Sequence, residues 1–371
     1  MIMNRARSVS ACILVTAAVP AFGAPPDDVS QERVIGNLRA LPVARAALAD
    51  AEHRKGLHDT EALLLSKLKE LGYEPKTQEI VWASPAQRLG RNGGDAKKEG
   101  AKPDQGESKP QPSKEGTGEQ GEGIDHWLNI IVDIPGKELP GEVVLIGAHF
   151  DAVARAPGAD DNGTGTAALL ELAAVLKDVP LKRTLRLAFF NLEEVGLVGS
   201  RQYVVNHAKE TASEKLTAMV SLEMLGYFCL EEGCQKSPVP AIKGVFEPPT
   251  KGDTLAAVTI AAHQPLTTRF LNAFESASDG VKITRFDFSP IAIPDILRSD
   301  HAPFLAIGVP ALMLTDTSNF RNPNYHSPKD TIETLDLDRY VRSVRGIVAA
   351  AVDLAEPAAG KAETPPSKAQ N

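Results

Sequence analysis

Five histidine and carboxylate residues stand at or just after the ends of separate apolar segments. A sixth residue, Glu193, is a spare carboxylate beside one of them. Ligands at the carboxyl ends of neighbouring parallel strands converge on the crevice where open α/β sheets hold their sites. Two histidines and three carboxylates, without a thiolate, suit zinc best, with manganese or cobalt as substitutes. The set predicts a centre for two Zn2+ ions and a hydrolase that activates water. Its members are His149, Asp161, Glu194, Glu223 and His326.

The first histidine has a neighbour suited to orient it. His149 closes the apolar run Val143–Ala148, and Asp151 follows two residues later. Residues two apart in an extended segment face the same side, so Asp151 can accept the imidazole N–H and set which nitrogen faces a metal. The alternative is a strand-end histidine that is satisfied by an aspartate with no metal present.

The carboxylates are also placed unusually. Glu193 and Glu194 follow a buried strand, where they repel one another unless a cation lies between them; one can then ligate while the other takes a proton from water. Glu223 interrupts an apolar segment and needs a partner, because a buried unpaired carboxylate is costly. The alternatives are an ordinary acidic loop for the pair and a helix N-cap in the turn that holds Asp161.

Apolar runs of strand length alternate with helical patterns through the middle of the chain. Continuous apolar strands joined by helices are typical of a parallel sheet covered on both faces. We therefore expect an α/β fold with a mostly parallel central sheet, preceded by a helical segment, Ser30–Leu71, and a strand, Gln78–Trp82. The other predicted elements are Val143–Ala148, Thr184–Asn191, Ala218–Leu222 and Pro310–Thr315 as strands and Thr166–Leu176 as a helix.

The N-terminus predicts an export signal. Two arginines precede an apolar stretch, residues 11–22, that is too short to span a bilayer, and Ala21-Phe22-Gly23 offers small residues to a signal peptidase. We expect removal of residues 1–23, and a periplasmic or secreted mature chain without a membrane span. A lipoprotein box ending at Cys12 is less favoured, because almost no apolar segment precedes that cysteine.

Residues 24–355 are expected to form a single domain with one insertion. The tract 84–123 is rich in Gly, Lys, Glu, Pro and Gln and has one large apolar residue, Leu89. Such a segment cannot bury enough surface to offset its ordering entropy. We predict that it is disordered, and expect the same of the Ala/Pro/Lys-rich tail, residues 356–371.

Charge and cysteine usage limit the partners and the compartment. The formal net charge is −8 and no basic stripe offsets it, which argues against a nucleic-acid partner. In an exported protein, Cys229 and Cys234 are suited to close a small disulfide loop; two unrelated thiols are the alternative.

Together the fragments resemble, in sequence order, the zinc aminopeptidase family of co-catalytic exopeptidases, which includes bacterial leucyl aminopeptidases and glutamate carboxypeptidase. The resemblance runs from about residue 124 to 337. It rests on six motifs: GAHFD, PGADDNGTG, NLEEVGLVGS, SLEMLGY, SDHAPF and NPNYHSPKDT. The resemblance implies a di-zinc exopeptidase fold and peptide substrates, and we expect an aminopeptidase.

Carried over to this chain, the resemblance implies a role for each site residue. His149 and Glu223 would hold one zinc, Glu194 and His326 the other, and Asp161 would bridge them. Asp151 would orient His149, and Glu193 would be the general base. The family usually has aspartate at the position of Glu223, and it suggests a cis peptide bond between Asp161 and Asn162.

Several other functions compete with an aminopeptidase. The sequence contains neither a GxSxG nucleophile elbow nor an HExxH zinc motif. Within the resemblance, the alternatives are a carboxypeptidase or dipeptidase, a single-zinc glutaminyl cyclase, and a non-catalytic binding module such as the transferrin receptor. Asp300, Arg321 and Tyr325 are candidate substrate-binding residues. Arg321 would grip a substrate carboxylate in a carboxypeptidase, or else pair with an acid such as Asp316 as a structural arginine.

Overall fold

A computed structural model describes residues 25–82, 125–210, 213–241, 243–244, 246–288 and 294–359. The expected export signal and the predicted insertion lie outside these ranges, as do residues 360–371 of the expected tail. Within the described ranges, no helix is both long enough and apolar enough to cross a bilayer.

The domain is built on one eight-stranded sheet, whose strands are ordered β1-β2-β4-β3-β5-β8-β6-β7. The strands are β1 (Lys76–Trp82), β2 (Asp125–Ile134), β3 (Leu139–His149), β4 (Arg183–Phe190), β5 (Lys215–Glu223), β6 (Leu255–Ile260), β7 (Ile283–Phe288) and β8 (Ala311–Thr315). The four central strands β4, β3, β5 and β8 are mutually parallel. Antiparallel pairs flank them, β2 against β4 on one side and β6 against β8 on the other. The predicted mostly parallel sheet is confirmed, and β6 and β7 are additions that the sequence did not reveal.

Helices cover both faces of this sheet. They are α1 (Gln31–Ala40), α2 (Ala51–Glu70), α3 (Gly165–Leu176), α4 (Val198–Glu210), α5 (Gln264–Ala277), α6 (Ala302–Ala306) and α7 (Leu337–Ala355). Alternate residues of β3 join different cores: Val144 and Ile146 pack into the larger core, which includes residues of α3 and α7, whereas Val143 and Leu145 join the smaller core with residues of α4 and α6. The continuous apolar run of this strand is therefore explained by burial on both sides.

Two sequence-based boundaries need correction. The segment predicted as one helical stretch is two helices, because Ser30 and Asp50 each cap a separate start, with side chains that accept the backbone N–H of Arg33 and His53. The first four residues of the expected loose tail are ordered instead. Glu356 forms ion pairs with Lys182 and Arg183, and residue 357 pairs with Leu181, so residues 356–359 are docked on the domain.

The flanks of the predicted insertion lie side by side. Trp82, at the end of β1, is the register partner of Asp125, at the start of β2. A short turn can therefore join the two strands. Each halving of the loop length lowers the free-energy cost of closing the loop by about 0.6 kcal/mol. We predict that replacing residues 84–123 with a four-residue Gly/Ser turn leaves the melting temperature and metal binding unchanged, as measured by calorimetry and metal analysis. Loss of either would give the tract a structural role.

Gly56 allows α2 to pack tightly against the preceding loop. A Cβ atom at this position would lie 1.7 Å from the carbonyl oxygen of Ala44. We predict that Gly56→Ala destabilises the fold by more than about 2 kcal/mol, although alanine normally favours a helix. Gly36→Ala, in α1, is the matched control, because within the described residues no heavy atom outside the adjoining backbone of its own helix lies within 4 Å of its Cβ position. That control should stabilise by about 0.5–1 kcal/mol. Urea unfolding compares them, and equal effects would refute the prediction.

Candidate metal centre

The predicted ligands meet at the carboxyl ends of the parallel strands. His149 is the last residue of β3, and Glu223 is the last residue of β5. Glu194 follows β4 closely in the sequence, whereas Asp161 and His326 come from loops. Because neighbouring parallel strands end at the same edge of the sheet, three separate segments deliver their polar side chains to one place.

Asp161 lies between the two histidines. Its Oδ1 atom is 3.4 Å from Nε2 of His149, and its Oδ2 atom is 3.0 Å from Nε2 of His326. Each histidine has one further acid: Glu223 Oε2 lies 3.5 Å from His149 Nε2, and Glu194 Oε2 lies 3.2 Å from His326 Nε2. The side chains thus form two histidine–carboxylate groups that share a single aspartate.

Hydrogen bonding alone does not satisfy these groups. The Nε2 atoms of His149 and His326 and the Oε1 atom of Glu194 are buried, yet none makes a hydrogen bond within the described part of the chain. Buried polar atoms are nearly always paired with protein, water or an ion. Imidazole nitrogens and carboxylate oxygens that converge without bonding one another are a donor set that fits zinc.

The electrostatics of the site also favour bound cations. Burial raises the pKa of Glu194 to about 7, and nearby Asp161 acts in the same direction. Burial likewise raises the pKa of Glu193 well above the usual carboxyl range, and Glu223 and Glu194 add to the increase. For His149 burial opposes the charged form, but Glu223 and Glu193 outweigh it and raise its pKa well above the ordinary value. Burial and mutual repulsion disfavour the ionised form of these carboxyl groups. Divalent cations bound among them would stabilise that form.

Asp151 supports the site in two ways. The sequence analysis expected its carboxylate to accept the imidazole N–H of His149, whereas the acceptor is its backbone carbonyl. Nδ1 of His149 hydrogen-bonds the backbone carbonyl of Asp151 at 3.1 Å, while the carboxylate lies 3.4 Å from the same nitrogen. The carboxylate itself accepts the backbone N–H groups of Glu193 and Glu194 at 3.0 and 3.1 Å. Asp151 therefore directs Nε2 of the imidazole into the site and also holds the acidic loop.

The turn that carries Asp161 is held by residues that the sequence analysis did not assign. The peptide bond between Asp161 and Asn162 is cis, as expected from the resemblance. Asp330 accepts the backbone N–H groups of Asp160 and Asp161 through its two carboxylate oxygens. Asn162 accepts the backbone N–H of Met224, which links this turn to the end of β5. An acid four residues after His326 was visible in the sequence, but spacing alone did not indicate its partner.

Glu223 also has a dedicated partner. Ser299 donates a hydrogen bond to its Oε2 atom at 2.7 Å, and Ser221 lies 3.0 Å from the Ser299 hydroxyl. All three side chains are buried or nearly so. The longer glutamate therefore reaches to within 3.5 Å of His149 while its oxygen remains anchored.

Comparison with known proteins assigns the family. The sequence profile of Peptidase family M28 matches residues 129–351, more than half of the chain. The chain belongs to peptidase family M28. The expectation of a zinc aminopeptidase family member, and with it of a metallopeptidase, is confirmed.

Individual relatives agree with this assignment. The M28 chain is 31% identical over 230 residues to the uncharacterized protein YfbL of Escherichia coli, an alignment covering 60% of this chain and 69% of that protein. It is 27% identical over 220 residues to the aminopeptidase YwaD of Bacillus subtilis, covering 57% of this chain and 40% of that protein. This chain thus matches less than half of the YwaD sequence.

Solved structures show the same fold at low sequence identity. The LapA aminopeptidase of Legionella pneumophila superposes with a TM-score of 0.59 at 20% identity, covering 90% of this chain and 74% of that chain. An aminopeptidase from Aneurinibacillus sp. strain AM-1 gives a TM-score of 0.59 at 16% identity, covering 90% and 96%. A glutaminyl cyclase from Fimbriiglobus ruber gives 0.57 at 14% identity, covering 87% and 95%. The α/β fold class predicted from the sequence is therefore confirmed.

In this M28 protein the acids open into a cavity of about 320 Å³. Asp161, Glu193, Glu194 and Glu223 are part of the cavity lining. Most of the remaining lining is apolar and includes Leu197, Val258, Phe286, Ile296, Leu297 and Met313. The cavity thus offers an apolar side chain a place beside the acidic cluster.

The three candidate substrate-binding residues have different environments. Tyr325 lines the cavity, and its ring stacks on that of His326 with centroids 3.8 Å apart. Asp300 is fully buried instead, beside Ser200, and burial raises the pKa of its carboxyl to about 7. We correct the expectation that Asp300 faces substrate, because a buried side chain outside the cavity lining cannot contact it.

Arg321 is also a correction. Its side chain is buried, and its guanidinium donates to the side chain of Gln235 and to the backbone carbonyls of Tyr227 and Thr254, at 2.7, 3.3 and 2.7 Å. The structural interpretation of this arginine is therefore the one that the contacts support. Its direct acceptor is an amide rather than the acid expected from the sequence.

The two cysteines are joined. A disulfide links Cys229 and Cys234, whose Cα atoms lie 6.3 Å apart. Backbone hydrogen bonds in both directions also tie Cys229 to Gly252. The cross-linked loop directly precedes residues 235–239, which line the cavity.

The anchored position of Glu223 predicts an unusual response to shortening. Glu223→Asp restores the commoner family residue but withdraws the carboxylate by about one C–C bond and separates it from the Ser299 hydroxyl. We expect weaker metal binding at the group of His149 and Glu223 and unchanged binding at the group of Glu194 and His326. Zinc titration by calorimetry measures both affinities, with Glu223→Gln as a variant that keeps the length but not the charge. Two sites at unchanged or tighter affinity in Glu223→Asp would show that the pocket is built for aspartate.

Proposed function

We propose that this M28 protein is an exported di-zinc aminopeptidase that removes apolar N-terminal residues from peptides. The observation that carries the proposal is the pair of histidine–carboxylate groups sharing Asp161 at the end of an apolar cavity. The similarity to YwaD and LapA, both aminopeptidases, supports the reaction class. The basic and apolar N-terminal segment supports export.

The residues would divide between the two ions as their distances suggest. His149 and Glu223 would hold one zinc, Glu194 and His326 the other, and Asp161 would contact both through its separate oxygens. When bound, zinc supplies Lewis acidity that lowers the pKa of water and polarises a carbonyl group.

Glu193 is the proposed general base. One of its carboxylate oxygens lies within 4.8 Å of ligand atoms of both His149 and Glu223, and the side chain also lines the cavity. Its backbone N–H is held by Asp151, which fixes the start of the side chain. From this position the carboxylate takes a proton from the attacking water and returns it to the leaving amine.

The cavity favours an amino-terminal substrate. Its apolar lining suits the side chain of the first residue, since burying such a side chain is worth about 1.5–3 kcal/mol. The arginine that would have gripped a carboxylate in a carboxypeptidase is occupied by internal acceptors. A carboxypeptidase that grips its substrate with Arg321 is therefore disfavoured. Arg298, which also lines the cavity, already bonds Asp295, Asn319 and Tyr325, and Lys236 is the other cation of the lining.

Two measurements on the purified protein test this proposal. Metal analysis should find two zinc ions per chain. Leucine p-nitroanilide should be cleaved while its N-acetyl derivative, which has no free amine, should not be. One bound zinc together with pyroglutamate formation would indicate a glutaminyl cyclase instead, and a protein without zinc or turnover would indicate a binding module.

Glu193→Gln separates proton transfer from metal binding. The amide cannot accept the proton, so kcat should fall by about two to four orders of magnitude while two zinc ions remain bound. Glu194→Gln is the matched control on the adjacent residue and should lose zinc affinity. Retained activity in Glu193→Gln, or loss of its metal, would remove Glu193 from the role of base.

A further inference from the structure

Arg321 lies at the centre of a buried set of hydrogen bonds that the proposed reaction does not use. Its Nε atom donates to Oε1 of Gln235 at 2.7 Å, and the Nε2 atom of Gln235 donates to the hydroxyl of Thr317 at 2.8 Å. The exposed fractions of Arg321 and Gln235 are 6% and 7%. We call Arg321, Gln235 and Thr317 the bracket.

The bracket joins two segments of the cavity wall. Residues 235–239 line one part of the cavity, and Thr317, Ser318 and Phe320 line another. A backbone hydrogen bond from Lys236 to Phe320, at 2.7 Å, runs parallel to the side-chain contacts. In the sequence, Gln235 directly follows the disulfide-linked loop, and Arg321 comes five residues before the proposed ligand His326. The bracket therefore connects the segment after the disulfide with the segment before this ligand.

The bracket is itself held rigidly. Arg321 also donates to the carbonyls of Tyr227 and Thr254, so its position is set by three acceptors on separate segments. It packs closely against Gly252, where a Cβ atom would lie 2.4 Å from Nε of Arg321. A fully satisfied buried hydrogen-bond network is rigid, so Arg321 holds the side chain of Gln235 in a fixed position.

We propose that the Arg321–Gln235–Thr317 bracket sets the width of the apolar cavity and thereby selects the size of the substrate's first side chain. This inference rests on the proposed aminopeptidase function. A large apolar side chain reaches residues 235–239 and gains dispersion contacts only if that wall is held close. An alanine side chain makes few of these contacts, so its binding is nearly independent of the bracket.

A matched pair of substitutions at Gln235 tests the proposal. In Gln235→Met the new side chain has nearly the same length, but it can neither accept the hydrogen bond from Arg321 nor donate one to Thr317. Gln235→Glu keeps an acceptor for Arg321, and the Thr317 hydroxyl can turn to donate to it. Both variants lose the hydrogen bond that Nε2 of Gln235 donates to the backbone carbonyl of Lys236 at 2.8 Å, so their difference reports on Arg321 and Thr317 alone. Gln235→Met should lower the preference for leucine over alanine p-nitroanilide, as the ratio of kcat/KM, by at least about fivefold, mainly through a higher KM for leucine. Gln235→Glu should retain most of the preference.

A remote variant controls for lost stability. The Tyr73 hydroxyl donates to the carbonyl of Ala173 at 2.9 Å, so Tyr73→Phe also deletes a partly buried hydrogen bond. It should lower the melting temperature without altering the leucine-to-alanine ratio. An unchanged ratio in Gln235→Met, despite a lower melting temperature, would overturn the proposal and leave the bracket a purely structural role.

A binding measurement makes the result independent of turnover. Linear alkylamines from propylamine to hexylamine should bind the zinc-loaded wild-type protein more tightly as the chain lengthens, and calorimetry should show a weaker dependence on chain length in Gln235→Met. If the wild-type protein cleaves no peptide, the proposed function fails, and this series alone decides the role of the bracket. An identical dependence in both proteins would refute it.

Discussion

The repulsion among buried carboxylates at one end of the sheet is the constraint on which this structure depends. Asp161, three glutamates and two histidines form two adjoining groups, in which burial is the first cause of the raised carboxyl pKa values of Glu193 and Glu194. Such a cluster is stable only if its charges are compensated. The surrounding structure is arranged to hold these groups in place while leaving their inward-facing atoms free for cations.

Fixed donors stabilise the cluster from outside. The carboxylates of Asp151 and Asp330 accept four backbone N–H groups from the two acidic turns, and Ser299 donates to Glu223. The fully buried Arg45 donates to backbone carbonyls of Phe150 and of the turn before Asp161. The contacts at Phe150, Glu193 and Glu194 use backbone groups that closely follow β3 and β4, so the sheet itself places this part of the site.

The apolar cavity is built by different elements from the metal centre. His149, Glu194 and Glu223 lie at or just after the ends of central parallel strands, whereas Val258 and Phe286 come from β6 and β7 at the far edge of the sheet. Loops cross-linked by a disulfide and by the bracket complete the wall. This division lets substrate preference change through the outer strands and loops while the metal centre is retained.

The sequence by itself determined the chemistry and much of the framework. Long apolar runs such as Val143–Ala148 predicted buried parallel strands, because burial on both faces leaves a pattern that needs no knowledge of partners. Ligand types are likewise local, since histidine and carboxylate are recognisable wherever they stand.

Only the tertiary structure decided which distant groups meet. Arg321 was a plausible substrate ligand until Gln235, far from it in sequence, was seen to accept its hydrogen bond. Asp300 and Tyr325 were both candidates for contact with substrate, yet one is buried and the other lines the cavity. Asp330 gained its role only through the backbone of a turn some 170 residues away. Burial and hydrogen-bond partners are properties of the packed chain, and residue type and spacing do not contain them.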